Sequence, residues 1–239
     1  EVTGVTRLSP DELKAILEPW EGKELSIADM QKPAEAIAGA IRAKGYPLAQ
    51  AFLPPQRVDG GTLEIRVQEG VVDGSAGIGG IVTSGADKRI RPEVVARVLA
   101  EGAPAGQPLD GEALERSLLV ANELPGVKKI KANLAPGSQP GTTQVEAQVE
   151  EGRLVTGSVW ADNYGNHYTG SGRLSVAANL NSPTGYGDLW TLTASKSSGM
   201  TSGRFGAIVP VGSRGGRVGA SYSEVSMDFA GQVIPVNLD

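Results

Sequence analysis

The tetrapeptide Val67-Gln68-Glu69-Gly70 returns 82 positions later as Val149-Glu150-Glu151-Gly152. Other landmarks keep nearly the same step. Pro10-Asp11-Glu12 corresponds to Pro92-Glu93 at 82, Gly45 to Gly126 at 81, and Gly22-Lys23-Glu24-Leu25 to Gly106-Gln107-Pro108-Leu109 at 84. Self-similarity at a fixed period marks repeated copies of one small unit. Residues 1–152 therefore read as a tandem pair, 1–72 and 73–152, with a different kind of chain from 153 to 239.

The first copy spells out its elements. Ser9-Pro10-Asp11-Glu12 combines an N-cap serine, a proline at the first helical position and a glutamate placed to close a capping box. Leu13, Ile16, Leu17 and Trp20 follow at helical spacing. Ser26 and Asp29 open a second helix, with Ile27, Met30, Ala34, Ile37, Ala38 and Ile41 on its apolar side. Gly45 ends it in the left-handed conformation that glycine adopts at little cost. Pro47 and Pro54 lack amide donors, so a strand between them belongs at a sheet edge. Asp59-Gly60-Gly61 turns the chain into Thr62–Gln68, where Leu63, Ile65 and Val67 share one face of a central strand. With a short strand from Val2 to Leu8, the order is β-α-α-β-β. The second copy repeats it. Ile78–Thr83 is a strand, and Pro92–Leu99 a helix bearing Val94, Val95, Val98 and Leu99. Asp110 caps a helix with Leu114, Leu118, Ala121 and Leu124, stopped by Pro125-Gly126. Val127–Leu134 and Thr143–Val149 form a hairpin through Pro136-Gly137 and Pro140-Gly141.

From 153 the helical period is gone. These residues hold 11 of the 49 charged side chains but 8 of the 11 aromatics and 14 of the 33 glycines. Apolar and polar residues alternate instead. Val155, Val159 and Ala161 oppose Thr156, Ser158 and Asp162, with Trp160 on the otherwise polar side. Leu174, Val176, Ala178 and Leu180 oppose Arg173, Ser175, Ala177 and Asn179. Trp190, Leu192 and Ala194 oppose Thr191, Thr193 and Ser195. Phe205, Ala207 and Val209 make a further apolar row, and Val218, Ala220 and Tyr222 another. Turn-rich segments at 163–170, 181–187, 197–203 and 210–216 separate them. About five strands of roughly ten residues with alternating faces match a transmembrane β-barrel. The scarcity of charge, and the aromatics Trp160, Tyr164, Tyr168, Tyr186 and Trp190 near strand ends, favour that over a soluble β-sandwich. Five strands cannot close a barrel when the smallest examples use about eight. A piece of a longer protein is expected, as is the start on Glu1 with no signal peptide.

The residues now resemble a known family. Gly45-Tyr46-Pro47 with Pro54-Pro55-Gln56, and Leu124-Pro125-Gly126-Val127 with Pro140-Gly141-Thr142-Thr143, are similar to the POTRA domains of two-partner secretion transporters, the hemolysin-activator (ShlB/FhaC/HecB) family. Asp162-Asn163-Tyr164-Gly165, Tyr168-Thr169-Gly170, Asn181-Ser182-Pro183-Thr184-Gly185 and Pro210-Val211-Gly212 resemble the start of that family's barrel. The resemblance implies tandem α+β POTRA domains before an incomplete transmembrane β-barrel of a Gram-negative outer membrane. It implies export of a secreted exoprotein through its N-terminal secretion domain, with the POTRA units in the periplasm. Two family features do not occur within residues 1–239, the plug helix and the Val-Arg-Gly-Tyr motif; Ser213-Arg214-Gly215-Gly216 reads as a turn.

No catalytic chemistry emerges. The single histidine, His167, lies in a Gly/Tyr-rich loop, and one histidine without cysteine makes no ordinary zinc set. No nucleophile elbow or phosphate loop occurs, and Gly74–Gly80 reads as a linker. Neither an enzyme nor a cofactor or metal site is expected. The net charge of −5, without a basic stripe, argues against nucleic acid. Trp20 reads as core, and Lys128, Lys129 and Lys131 as protection of an edge strand. The partner-binding residues expected are Leu48, Ala49, Gln50, Ala51, Phe52 and Leu53, an uncharged edge open to strand addition. It would expose either Leu48, Gln50 and Phe52 or Ala49, Ala51 and Leu53. Outer-membrane lipid is the second expected partner. A barrel-assembly factor and a periplasmic POTRA scaffold are the alternative readings.

Overall fold

A computed structural model describes residues 1–26, 29–57, 61–86, 89–165 and 169–228. The chain divides into two compact units: 1–85 with 95–121 and 130–149, and 86–94 with 122–129 and 150–239.

The first copy contains β1 (Val2–Thr3), α1 (Pro10–Leu17), α2 (Gln31–Ala43), β2 (Gln50–Phe52) and β3 (Ile65–Gln68). Its sheet runs β1-β3-β2, with β1 parallel and β2 antiparallel to the central β3. The capping box on α1 is complete, since Ser9 and Glu12 satisfy each other's backbone amides. The α2 face Ala34, Ile37 and Ile41 packs with Ala49, Ile65 and Val67 as a buried core, and Leu13, Ile16 and Leu17 lie partly buried against it.

Several elements are shorter than their spelling suggests, each for a visible reason. The strand expected over Val2–Leu8 stops at Thr3, because Gly4 turns the chain at φ +83° and a Cβ there would strike the Val67 carbonyl. The strand expected from Thr62 begins at Ile65. The Gln56 carboxamide binds both the N–H and the C=O of Glu64, at 2.8 Å each, in place of a neighbouring strand. Ser26 and Asp29 bind each other in a turn ahead of α2 rather than capping it. Trp20 lies past the end of α1 in the following turn, half-buried. Ile27 and Asp59-Gly60 fall outside the described residues.

Val71–Val72, the last two residues of 1–72, form β4 in the sheet of the second copy, which itself contains β5 (Ile81–Ser84), α3 (Pro92–Gly102), α4 (Gly111–Asn122), β6 (Val127–Pro136) and β7 (Thr142–Glu151). Both β4 and β5 run parallel to β7, and β6 forms the hairpin with it. The Asp110 carboxylate accepts the Ala113 N–H at 3.0 Å, as a cap should. The sequence did not announce β4. Directly after Gly70 the chain enters the second sheet, with Val71 donating to Gly141 and Asp73 to Thr143.

The repeat reappears as equivalent chemistry. Glu69 accepts the backbone N–H groups of Thr6 and Arg7 at 2.7 and 3.0 Å; Glu151 accepts those of Arg89 and Ile90 at 2.8 and 3.2 Å. Gly85 sits at φ +78° beneath the Val149 carbonyl as Gly4 does beneath Val67. In each copy one glutamate holds the loop that leaves the parallel strand.

The remaining strands are β8 (Val155–Asp162), β9 (Arg173–Asn181), β10 (Leu189–Ser197), β11 (Met200–Val211) and β12 (Gly216–Met227), an antiparallel meander. The turn expected over 197–203 is tighter, because Lys196 already pairs with Thr201. Among the described residues no helix is long and apolar enough to cross a membrane.

Candidate polypeptide-binding edge and barrel wall

Two surfaces are candidates for contact. The first is the outer edge of β2, which among the described residues pairs only with β3. Ala49 is fully buried, its carbonyl accepting the Arg42 guanidinium at 3.2 Å. Ala51 and Leu53 pack partly buried against the core, Leu48 is half-buried, and Gln50 and Phe52 are exposed. The alternation thus settles on the Leu48, Gln50 and Phe52 side facing outward. Beside this edge lies a cleft of about 360 Å³ whose walls include Leu48, Gln50, Gln68, Leu134, Pro136 and Thr142, with no charged residue among its lining. Gln68, Leu134 and Pro136 escaped the sequence reading, since they join the edge only through the way β4 inserts into the second sheet. On the other edge strand, β6, Lys128 pairs with Glu150 at 2.5 Å, and Lys129 and Lys131 are exposed.

The second surface is the five-stranded sheet. Its register brings like residues together: Leu174 opposes Ala161, Val176 opposes Val159 and Ala194, and Leu180 opposes Val155 and Trp190. Leu192 opposes Phe205, Phe205 opposes Tyr222, and Val209 opposes Val218. One face is therefore largely apolar, with Lys196 opposite Leu174 and Glu224 opposite Gly203 toward one end. It is also open: Val159 is 71% exposed, Leu174 57% and Tyr222 69%. Trp190 and Phe205 meet edge to face on it at 6.0 Å. From Leu174 to Leu180 the field spans about 20 Å at the usual strand rise of about 3.3 Å per residue, close to the apolar band of about 25 Å in such barrels. The opposite face carries Asp162, Arg173, Ser175, Thr193, Ser195, Ser202, Arg204, Arg217, Ser221 and Ser223. Arg173 reaches Asp162 at 3.0 Å. A one-residue slip would exchange the two faces throughout.

The aromatics near strand ends and turns divide between the two faces and the loops. Trp160 belongs to the polar face, because it opposes Ser175. Tyr186 lies in the turn before β10, where its hydroxyl accepts from Arg91 at 2.6 Å beneath the guanidinium. Trp190 does sit on the apolar face near a strand end. Tyr164 is an exposed loop residue, while His167 and Tyr168 fall outside the described residues.

Small β-α-α-β-β units leading into a sheet that is apolar on an exposed face define an outer-membrane barrel protein with POTRA domains. The ShlB-type POTRA domain matches residues 1–70, and the haemolysin secretion/activation protein ShlB/FhaC/HecB family matches residues 141–235. The heme/hemopexin transporter protein HuxB of Haemophilus influenzae (strain 86-028NP) is 30% identical over 178 residues, 74% of this chain and 30% of its own length. Outer membrane transporter CdiB of Escherichia coli is 30% identical over 199 residues, 82% of this chain and 32% of its own. The solved structure of CdiB from Escherichia coli covers 94% of this chain with 40% of its own length, at a TM-score of 0.74 and 28% identity. The chain belongs to the ShlB/FhaC/HecB family of two-partner secretion proteins. Its strands accordingly belong to the outer membrane and its POTRA region to the periplasm. It spans about a third of the length of these curated relatives.

Proposed function

We propose that this chain is the periplasmic and first wall-forming part of a transporter that exports a secreted partner polypeptide across the outer membrane. In this reading residues 1–72 and 73–152 are two POTRA domains, and 153–239 are the opening strands of a barrel in contact with outer-membrane lipid. The exposed, largely apolar face of β8–β12 carries the reading, since such a face is unfavourable in water and suited to lipid.

The POTRA units receive the partner's N-terminal secretion domain while that chain is extended. An extended chain lacks partners for its own backbone, and an open sheet edge supplies them without demanding one sequence. The edge at Leu48–Leu53 suits this better than β6, whose lysines discourage addition of a neutral strand. It carries no charge from Pro47 to Pro55 and opens onto the uncharged cleft. Its short paired span, Gln50–Phe52, makes capture weak and release easy.

The test uses the full-length parent protein carrying Gln50→Pro or Ala51→Pro, with Lys129→Pro for comparison. One of the first two removes an outward donor, so it is expected to stay folded, bind the partner's N-terminal domain less tightly and secrete less. If both β2 variants bind and secrete like the parent while Lys129→Pro fails, the docking strand is β6.

A further inference from the structure

We propose that Arg204 forms an anion-attracting site on the water-facing side of the barrel wall and biases which small ions the pore admits. The proposal rests on the barrel reading above. Arg204 opposes Thr193 on β10 and Ser223 on β12, which places it on the polar face. Around it lies a concavity of about 450 Å³ whose walls include Trp160, Arg173, Ser195, Ser202, Arg204 and Ser223.

Three arginines share this face, and their partners differ. Arg173 is held by the Asp162 carboxylate at 3.0 Å. Arg217 reaches the Glu123 carboxylate at 3.4 Å and the Glu123 carbonyl at 3.1 Å. Arg204 donates to the neutral hydroxyl of Ser221 at 2.9 Å, and no carboxylate reaches it among the described residues. Two of the three charges are thus offset locally and the middle one is not. Its cross-strand neighbours Thr193 and Ser223 carry small hydroxyls, and the Ser195 Oγ is buried without a hydrogen-bond partner among the described residues. A guanidinium cannot be deprotonated at physiological pH, so the charge is permanent. Rings of arginine or lysine are how pores favour anions. In water a unit charge about 5–8 Å from a passing ion changes its local population by a factor of about 2–4, and salt screens the effect.

The experiment reconstitutes the full-length parent protein in planar lipid bilayers and reads the reversal potential across a potassium chloride gradient. Arg204→Gln is expected to lower the chloride-to-potassium permeability ratio by a factor of about two. Arg204→Lys keeps the parental ratio, Arg217→Gln moves it less than Arg204→Gln does, and the Arg204→Gln shift shrinks as salt rises. Heat-modifiable migration on gels checks that each variant has assembled, and Arg204→Glu, which reverses the sign, enlarges the shift if glutamine alone is too mild. If the parent conducts and assembled Arg204→Gln and Arg204→Glu both keep its ratio, the site is overturned while the barrel reading stands. An assembled parent that conducts no ions contradicts the pore itself and the site with it.

Discussion

The POTRA region and the strand region solve the same problem in opposite directions. In the first, Ile37 and Ile41 have no exposed surface, and the large apolar side chains left outside, such as Phe52 and Leu119, are scattered. In the second, Val159, Leu174 and Leu192 point outward at 71%, 57% and 55% exposure, while Ser175 is 4% exposed on the other side of the sheet. One chain thus carries two solvents in its sequence. The helical period hides apolar side chains from water, and the period of two leaves them on an open sheet face, which the proposed barrel turns to lipid.

That contrast fails most visibly where a core side chain is removed. Residues 1–152 alone are expected to unfold cooperatively in urea, and Ile41→Ala to lower their stability by about 2–5 kcal/mol. A broad transition, or no loss in the variant, would mean that the repeats lack a core of their own. On the strands the sign of the rule inverts. Val176→Arg, on the apolar face, is expected to cost about 2–4 kcal/mol of barrel stability at mid-membrane depth. Ser175→Arg, one residue away, is expected to cost much less, and heat-modifiability in outer-membrane fractions ranks the two. The repeats themselves are sharpened by Glu69→Gln and Glu151→Gln. Each weakens one carboxylate anchor worth about 1–3 kcal/mol, so similar losses are expected from the two, read as denaturant midpoints.

The smallest effect is acid sensitivity. The Lys44 ammonium first, and the Ser9 cap second, lower the Glu12 carboxyl to about 2. Hydrogen bonds from Ser138 and Ser75 hold Asp73 well below the usual carboxylate range. Both are depressed relative to the unfolded chain, so their contribution is present at neutral pH. It is lost as pH falls from the ordinary carboxylate value of about 4 toward the folded values. Urea midpoints of residues 1–152 at pH 6 and pH 3 are expected to differ less in Glu12→Gln than in the parent. The lysine partner is 40% exposed, so screening keeps the difference small.

Much of this was legible in the sequence because local chemistry and fold agree. Ser9-Pro10-Asp11-Glu12 closes its capping box, the 82-residue step maps onto paired glutamates, and the strand alternation assigns both faces. What was not legible depends on side chains far along the chain. Gln56 shortens β3 by occupying Glu64, and Ser26 with Asp29 spends its capping potential on a turn. The junction strand β4 is two residues long, too short to show a period. At the proposed docking edge the uncharged stretch was readable, but which residues face out was not. That parity depends on Ala49 inserting into the core. Arg204 carried no signal of its own, because its meaning comes from the partners of Arg173 and Arg217.

The central claim, that a single strand divides lipid from lumen, is tested by cysteine labelling along β9. Single cysteines replace Leu174, Val176 or Leu180 on one face, and Arg173, Ser175 or Asn179 on the other, in a full-length parent from which any other cysteine has been removed, within membranes. The first set is expected to react with a lipid-soluble thiol reagent and resist a water-soluble one, and the second set to show the reverse, residue by residue. Equal reaction of both sets with both reagents would contradict a barrel wall.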